Sequence, residues 1–417
     1  MDIFFTEEKL ACRIDALAPW RMRDAIKAHG LRMMECPPEE VNPSPPPMDS
    51  GWTEAVLGQE WSGRDKYLWL TCDLEFPVQW NGRQLVGLFD FGVTGSCSTY
   101  GFEALLYVDG VPFQGVDTHH QEVYFPEHFA GRTVPVVFRL WSGLEGGGVP
   151  RIMTHVFRQA ETAWLDESVD QLYYAGRMIL ETLPLLSDND PVRTALRNAL
   201  NQALLEVDWR DEGRTSFHAS VQTAWGTLDR LLNSMDKQSV VDLVCVGHTH
   251  IDVAWLWRYK HTREKSARSF STVLRLMEQY PEYTFLQSQP QLYEYIKNDF
   301  PEIYEGIRQK IREGRWEVDG GMWIEADCNI PSGESLTRQI LVGTRFTEKE
   351  FGTRMHYLWL PDVFGYSWAL PQILKKSGLD TFITTKISWN ECNQMPHDTF
   401  YWVGIDGTKI LTHFITT

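Results

Sequence analysis

From Val240 onward the sequence alternates between short apolar runs and stretches of helical period, and few folds accept that alternation. Residues 240–246 (VVDLVCV) read as a buried strand, rich in β-branched residues and carrying one Asp. A helix over 263–279 follows, with Ala267, Phe270, Leu274 and Met277 on one face. Strand 284–289 leads into two helices, 291–299 and 301–313, divided at Pro301. Strand 315–318, helix 333–350, strand 356–360, helix 368–376 and strand 381–385 continue the pattern, and strand-like runs at 399–403 and 410–414 end the chain. Repeated β-α units imply a parallel sheet, closed as a barrel or left open and doubly wound. In both architectures active sites lie at the carboxyl ends of the strands.

That rule selects candidates at four strand ends. The first presents His248, His250 and Asp252, with Trp255 close behind. Alternate residues of an extended segment point the same way, so His250 and Asp252 can converge on one point. Imidazole with carboxylate there is a ligand set for a divalent metal such as zinc. The third end offers Asp319, Glu325, Asp327 and Asn329; the fifth offers Lys386, Trp389, Asn390 and Glu391. The fourth gives Asp362, between the apolar run YLWLP and a Phe-Gly turn, where a barrel would hold a catalytic carboxylate. An N-cap would be the structural use of such an Asp, but the next helix begins only near Ser367.

The first 239 residues have other periods. Residues 1–35 read as one or two amphipathic helices, through Leu10, Ile14 and Leu17 and then Met22, Ile26 and His29. The Pro-rich 36–48 reads as a linker, so that 1–50 form an N-terminal segment of helices and linker. Over 51–158 short apolar runs separated by turn signals such as Asn81-Gly82 and Asp109-Gly110 predict a jelly-roll-like β-sandwich. It would serve as a sugar-binding module, through Trp80 for instance, or as a structural cover. Residues 159–239 read as a helical linker unit, with helices over 160–186, 191–205 and 216–235. The α/β catalytic domain is 240–417.

A net charge of −17 with no basic stripe argues against nucleic acid. Seven cysteines are scattered, odd in number and without a C-x-x-C pair, which favours a reducing compartment. With an acidic N-terminus unlike a signal peptide and no apolar run of membrane-spanning length, the expectation is a cytoplasmic protein with no membrane partner; homo-oligomerisation stays open.

GHTHIDVAW, GGMWIEADCNIPSGES, LWLPDVFGYSWALPQIL and TKISWNECNQMPHDTFYWVGIDG together resemble the α-mannosidases of glycoside hydrolase family 38. The resemblance covers 240–417 in order, and the first 239 residues are similar to its bacterial and cytosolic subgroup. It implies part of a seven-stranded β/α barrel, and retaining, exo-acting release of α-linked mannose from oligosaccharides. It implies one divalent metal, zinc with cobalt as the alternative, held by His250, Asp252 and Asp362, and Asp362 as the nucleophile. Trp255 would stack on the sugar, with Asp327 and Trp389 as further sugar contacts. A metal on the 2- and 3-hydroxyls would read the axial 2-hydroxyl of mannose. The family's acid/base aspartate and a further His-Asp metal segment have no match before Thr417, so the chain is read as a fragment ending inside the barrel, with little activity. The alternatives are a metal-dependent amidohydrolase or polysaccharide deacetylase, and a non-catalytic carbohydrate-binding fragment.

Overall fold

Tyr67–Phe76 (YLWLTCDLEF) is apolar on both of its faces rather than alternating, and the computed structural model shows why. The structure describes residues 6–37, 44–48, 51–92, 101–145, 147–211, 213–236 and 243–415. Tyr67–Phe76 lies inside a six-stranded antiparallel sheet, ordered Thr53–Glu54, His29–Cys36, Tyr67–Phe76, Arg132–Trp141, Glu103–Val108, Val111–Asp117. Leu68, Leu70, Leu74 and Phe76 pack against a four-stranded sheet of Met22–Lys27, Gln159–Leu165, Leu85–Asp90 and Glu122–Phe125. Tyr67 and Trp69 point the other way, into a second core shared with the C-terminal half. Asp109 and Gly110 both take positive φ (52° and 78°), the conformation a two-residue hairpin turn requires.

The structure corrects three expectations here. Residues 22–36 are strands, not helix; among the described residues the helical part is Thr6–Leu17, burying Leu10, Ile14 and Leu17, with a 3-10 turn at Ala18–Trp20. Three residues at helical spacing are a weak signal, and pairing of His29–Cys36 with Tyr67–Phe76 overrides it. Trp80 is 2% exposed and belongs to the sandwich core, so it offers no ring to a sugar. The helix expected from 160 starts at Glu167, capped by the Asp166 carboxylate accepting from Val169 N–H, because Gln159–Leu165 is a strand. Helices Pro191–Leu205 and Thr215–Ser234 complete the helical unit, with Pro191 at a first helical position. No helix among the described residues is long and apolar enough to cross a membrane.

In the C-terminal half, Gly247–His248, Phe285–Leu286 and Trp316–Glu317 form a parallel sheet. Tyr357–Leu360, Thr381–Thr384 and Lys409–Phe414 are parallel in a second sheet, with Thr399–Val403 antiparallel at its edge. The last pair is joined through Gly404–Thr408, too short for a crossover, so it must be a hairpin. The opening strand is shorter than expected. Leu243–Val246 lie outside any strand, with Leu243 85% and Val244 87% exposed, and 240–242 fall outside the described residues. A run apolar on every side holds as a strand only when both faces are covered, and no described strand pairs with it.

Helix Tyr259–Gln279 joins the halves. It packs on Val111–Asp117, where a Cβ on Gly115 would come within 2.8 Å of the Arg268 carbonyl oxygen. Arg139 pairs with Glu264, both side chains being at most 6% exposed, and Glu103 pairs with Arg268 and, at 2.5 Å, with Lys265. Buried charges in a protein must be paired, and these lock the sandwich to the helix.

Candidate active site

The strand Gly247–His248 hands the chain to a loop whose side chains alternate. Ile251 turns into the core at 5% exposure, while His250 and Asp252 turn the opposite way. The loop is held from the next strand end: Gln287 Nε2 donates to the Thr249 carbonyl (3.0 Å) and Gln289 Nε2 to that of Ile251 (2.9 Å). Gln287, Ser288 and Gln289 are at most 2% exposed, so these amides act as a continuation of the sheet's own hydrogen bonding. On the far side Trp257 Nε1 donates to the Asp252 carbonyl at 3.1 Å.

His250, Asp252 and Asp362 converge. One ligand-capable atom of each lies within 4.8 Å of the others. His250 Nε2 is 3.4 Å from Asp252 Oδ1 and 3.3 Å from Asp362 Oδ2, yet it is buried and makes no hydrogen bond. A buried imidazole nitrogen without a partner, aimed between two carboxylate oxygens, fits a bound cation. The opposite ring nitrogen, Nδ1, lies 2.5 Å from Glu325 Oε2, and Glu325 Oε1 accepts from Ser288 Oγ at 2.9 Å. A carboxylate behind a ligating histidine fixes its tautomer and orients its ring. Burial opposes charge on His250, but the carboxylates of Asp252 and Glu325 outweigh it and raise its pKa to about 10. The site demands positive charge, whether a proton or a metal supplies it. Burial, then neighbouring His250, pushes His248 down to about 4; its Nε2 accepts from Trp359 Nε1 (3.1 Å) and stands outside the ligand cluster.

Asp362 follows strand Tyr357–Leu360, and Lys386 Nζ holds its Oδ1 at 2.7 Å, leaving Oδ2 towards His250. Lys386 also lies 3.5 Å from the Trp389 ring centre, and Trp389 packs edge-on against Phe364. Trp389 is 67% exposed and Trp255 54%, the latter resting edge-on against Trp257. Asp327 is exposed and stands apart from the cluster: its Oδ1 accepts from the backbone N–H of Asn329 (2.9 Å) and Ile330 (2.8 Å). The later histidines that an amidohydrolase would need are elsewhere, His356 against Asp319 and His413 against Thr399. Sequence reasoning passed over Gln287, Ser288 and Gln289; their signal was the polar run QSQ closing an apolar strand.

Residues 240–417 match the family model described as glycosyl hydrolases family 38 N-terminal domain, and residues 27–135 that of an alpha-mannosidase jelly roll domain. The chain is 32% identical to Alpha-mannosidase G of Dictyostelium discoideum, over 87% of this chain and 33% of that protein. It is 34% identical to Alpha-mannosidase 2C1 of Homo sapiens, over 83% of this chain and 33% of that protein. To the Alpha-mannosidase of Saccharomyces cerevisiae the identity is 46%, over 43% of this chain and 16% of that one. The chain thus spans about a third of the length of the first two relatives, at 33% each.

Proposed function

With residues 240–417 forming a family 38 glycosyl hydrolase N-terminal domain behind an alpha-mannosidase jelly roll domain, we propose that the protein is a retaining exo-α-mannosidase. The observation that carries this reading is the meeting of His250, Asp252 and Asp362 around one buried, unbonded nitrogen. The three side chains would hold a divalent metal, and the imidazole-plus-carboxylate set favours zinc, with cobalt as the alternative. Once bound, the metal would polarise the 2- and 3-hydroxyls of mannose and favour the axial 2-hydroxyl.

Asp362 is the nucleophile in this scheme. Its carboxylate forms a bond to the anomeric carbon as the glycosidic C–O bond breaks, and a second carboxyl about 5–5.5 Å away protonates the leaving oxygen. Water then releases mannose from the glycosyl-aspartate with the configuration retained. Lys386 fixes the carboxylate's orientation through one oxygen. Trp255 and Trp389 are exposed indoles suited to stacking on a pyranose, and Asp327 is read as a contact at the rim. We further read the parallel strands of the two sheets as arcs that form part of a seven-stranded β/α barrel, a reading supported by the parallel bridge Gly320–Leu358 between them. In this division 1–50 is the N-terminal segment, 51–158 the sandwich, 159–239 the helical unit and 240–417 the catalytic domain, with strands Met22–Lys27, His29–Cys36 and Gln159–Leu165 counted into the sandwich.

The test is a fluorinated mannosyl fluoride trap, whose fluoride departs without help from a general acid, followed by peptide mass mapping. A covalent label on Asp362 is expected. A label on Glu325 or Asp327, or on no carboxylate, would show the assignment to be wrong.

A further inference from the structure

A cavity of about 560 Å³ lies between the sandwich and helix Tyr259–Gln279, within the size range of ligand pockets. His250, Asp252 and Trp255 line one side of it. The facing wall comes from the sandwich: it is the turn at 117–120, which ends strand Val111–Asp117.

Two features make this a formed cleft rather than a loose seam. The gap is fixed by the buried pair Arg139–Glu264, by the half-buried pair Glu103–Lys265, and by Gly115 N–H donating to Thr272 Oγ1 at 3.2 Å. The turn itself is held by the Asp117 carboxylate. It accepts from the backbone N–H of His119 (2.7 Å) and His120 (3.0 Å), and it lies 3.0 Å from His120 Nδ1. Those bonds engage one nitrogen of the His120 ring, and the exposed His119 and His120 both line the cavity. The half-buried indole of Trp257 lines the same space. The held imidazole of His120, the exposed one of His119 and a hydroxyl, from Thr118, set near the Trp257 indole suit a pyranose, whose hydroxyls need polar partners and whose C–H faces need rings.

We propose that the 117–120 turn of the sandwich, with Trp257, forms a subsite for the sugars beyond the mannose being released. This rests on the α-mannosidase reading. An exo-acting site engages a single terminal residue at its metal ligands, so the remainder of the oligosaccharide must leave through space continuous with them. The cavity is such a space, and the sandwich thereby helps to select the substrate.

The experiment is calorimetric titration of the whole zinc-loaded chain with methyl α-mannoside and with a linear α-mannotriose. One or two added hydrogen bonds should make the wild-type chain bind the trisaccharide about tenfold tighter than the monoside. The double variant His119→Ala/His120→Ala should lose that advantage while keeping its melting temperature and its affinity for the monoside. Thr118→Lys, which crowds the wall without touching the imidazoles, should weaken the trisaccharide too, and it covers the case in which the double variant folds poorly. If the wild-type chain binds the monoside and the trisaccharide equally, the subsite is refuted while the mannosidase reading stands. If the variants keep the full trisaccharide preference, the subsite is likewise refuted. Binding of neither mannoside would bring down both readings together.

Discussion

Replacing Glu325 with Gln separates a carboxylate that orients a metal ligand from one that merely fills space. The Glu325 side chain is 4% exposed, with His250 Nδ1 at 2.5 Å and Ser288 Oγ at 2.9 Å. Gln keeps the shape, and its oxygen can still accept from Nδ1–H while the Ser288 hydroxyl rotates to accept from the new amide. Only the charge is lost. A hydrogen bond to a charged partner contributes about 1.5–3 kcal/mol and a neutral one about 0.5–1.5, so the change removes roughly 1–2 kcal/mol of support for the metal-binding tautomer. That corresponds to about a 5- to 30-fold weaker affinity for zinc, overlapping the 10- to 100-fold range typical of groups behind a ligating histidine. Competition against a calibrated chelator measures it, with His250→Ala as the control that should lose nearly all specific binding. Glu325→Gln binding zinc as tightly as the wild type, with the fold intact, would refute the assigned role. So would a His250→Ala variant that keeps its metal.

Two further outcomes are expected. Trp255 is 54% exposed, so Trp255→Ala should leave the melting temperature nearly unchanged while weakening mannoside binding; a loss of roughly 3–5 kcal/mol in denaturant unfolding would make it a core residue instead. For Glu103, burial raises the carboxyl's pKa, but Arg268 and Lys265 outweigh it and hold it below the ordinary 4.5. A folded-state value below the unfolded one means stability that is present above the unfolded value and lost as pH falls through the folded value. Stability measured from pH 6 down through 4 should therefore fall more steeply in the wild type than in Glu103→Gln, and equal slopes would remove Glu103 from the acid response.

What the sequence revealed and what it hid divide by the range over which each feature is determined. His250 and Asp252 are two apart on an extended segment, so their common direction is a local property and readable at once. Asp362 was legible for a related reason: an apolar strand and a Phe-Gly turn bracket it, which fixes its place at a strand end. Glu325 stood in the same kind of list, but its part depends on meeting His250 across 75 positions, which no local period encodes. The misread strands at 22–36 failed the opposite way. Their helical spacing was a local coincidence, and the decision lay in pairing of Met22–Lys27 with Gln159–Leu165 and of His29–Cys36 with Tyr67–Phe76.

Helix Tyr259–Gln279 carries the same lesson further. Its apolar residues, Ala267, Phe270, Leu274 and Met277, mark one face, and an ordinary amphipathic helix would leave the remainder in water. Here Glu264, Arg268, Ser271 and Thr272 are buried as well, because the helix is enclosed by the sandwich on one side and by the packed α/β half on the other. The second face is written in charged residues that pair with Glu103 and Arg139, 125 to 165 positions away, and in Thr272, whose hydroxyl accepts from Gly115 N–H. Such a face looks solvated until its partners are known. That choice of chemistry has a physical consequence. An apolar face would bind the sandwich through a non-directional force tolerant of sliding, whereas paired charges with few alternative partners fix one register. A cleft whose two walls belong to different domains holds its width only if that register holds, and the ion pairs of this helix lie along the cavity that begins at His250.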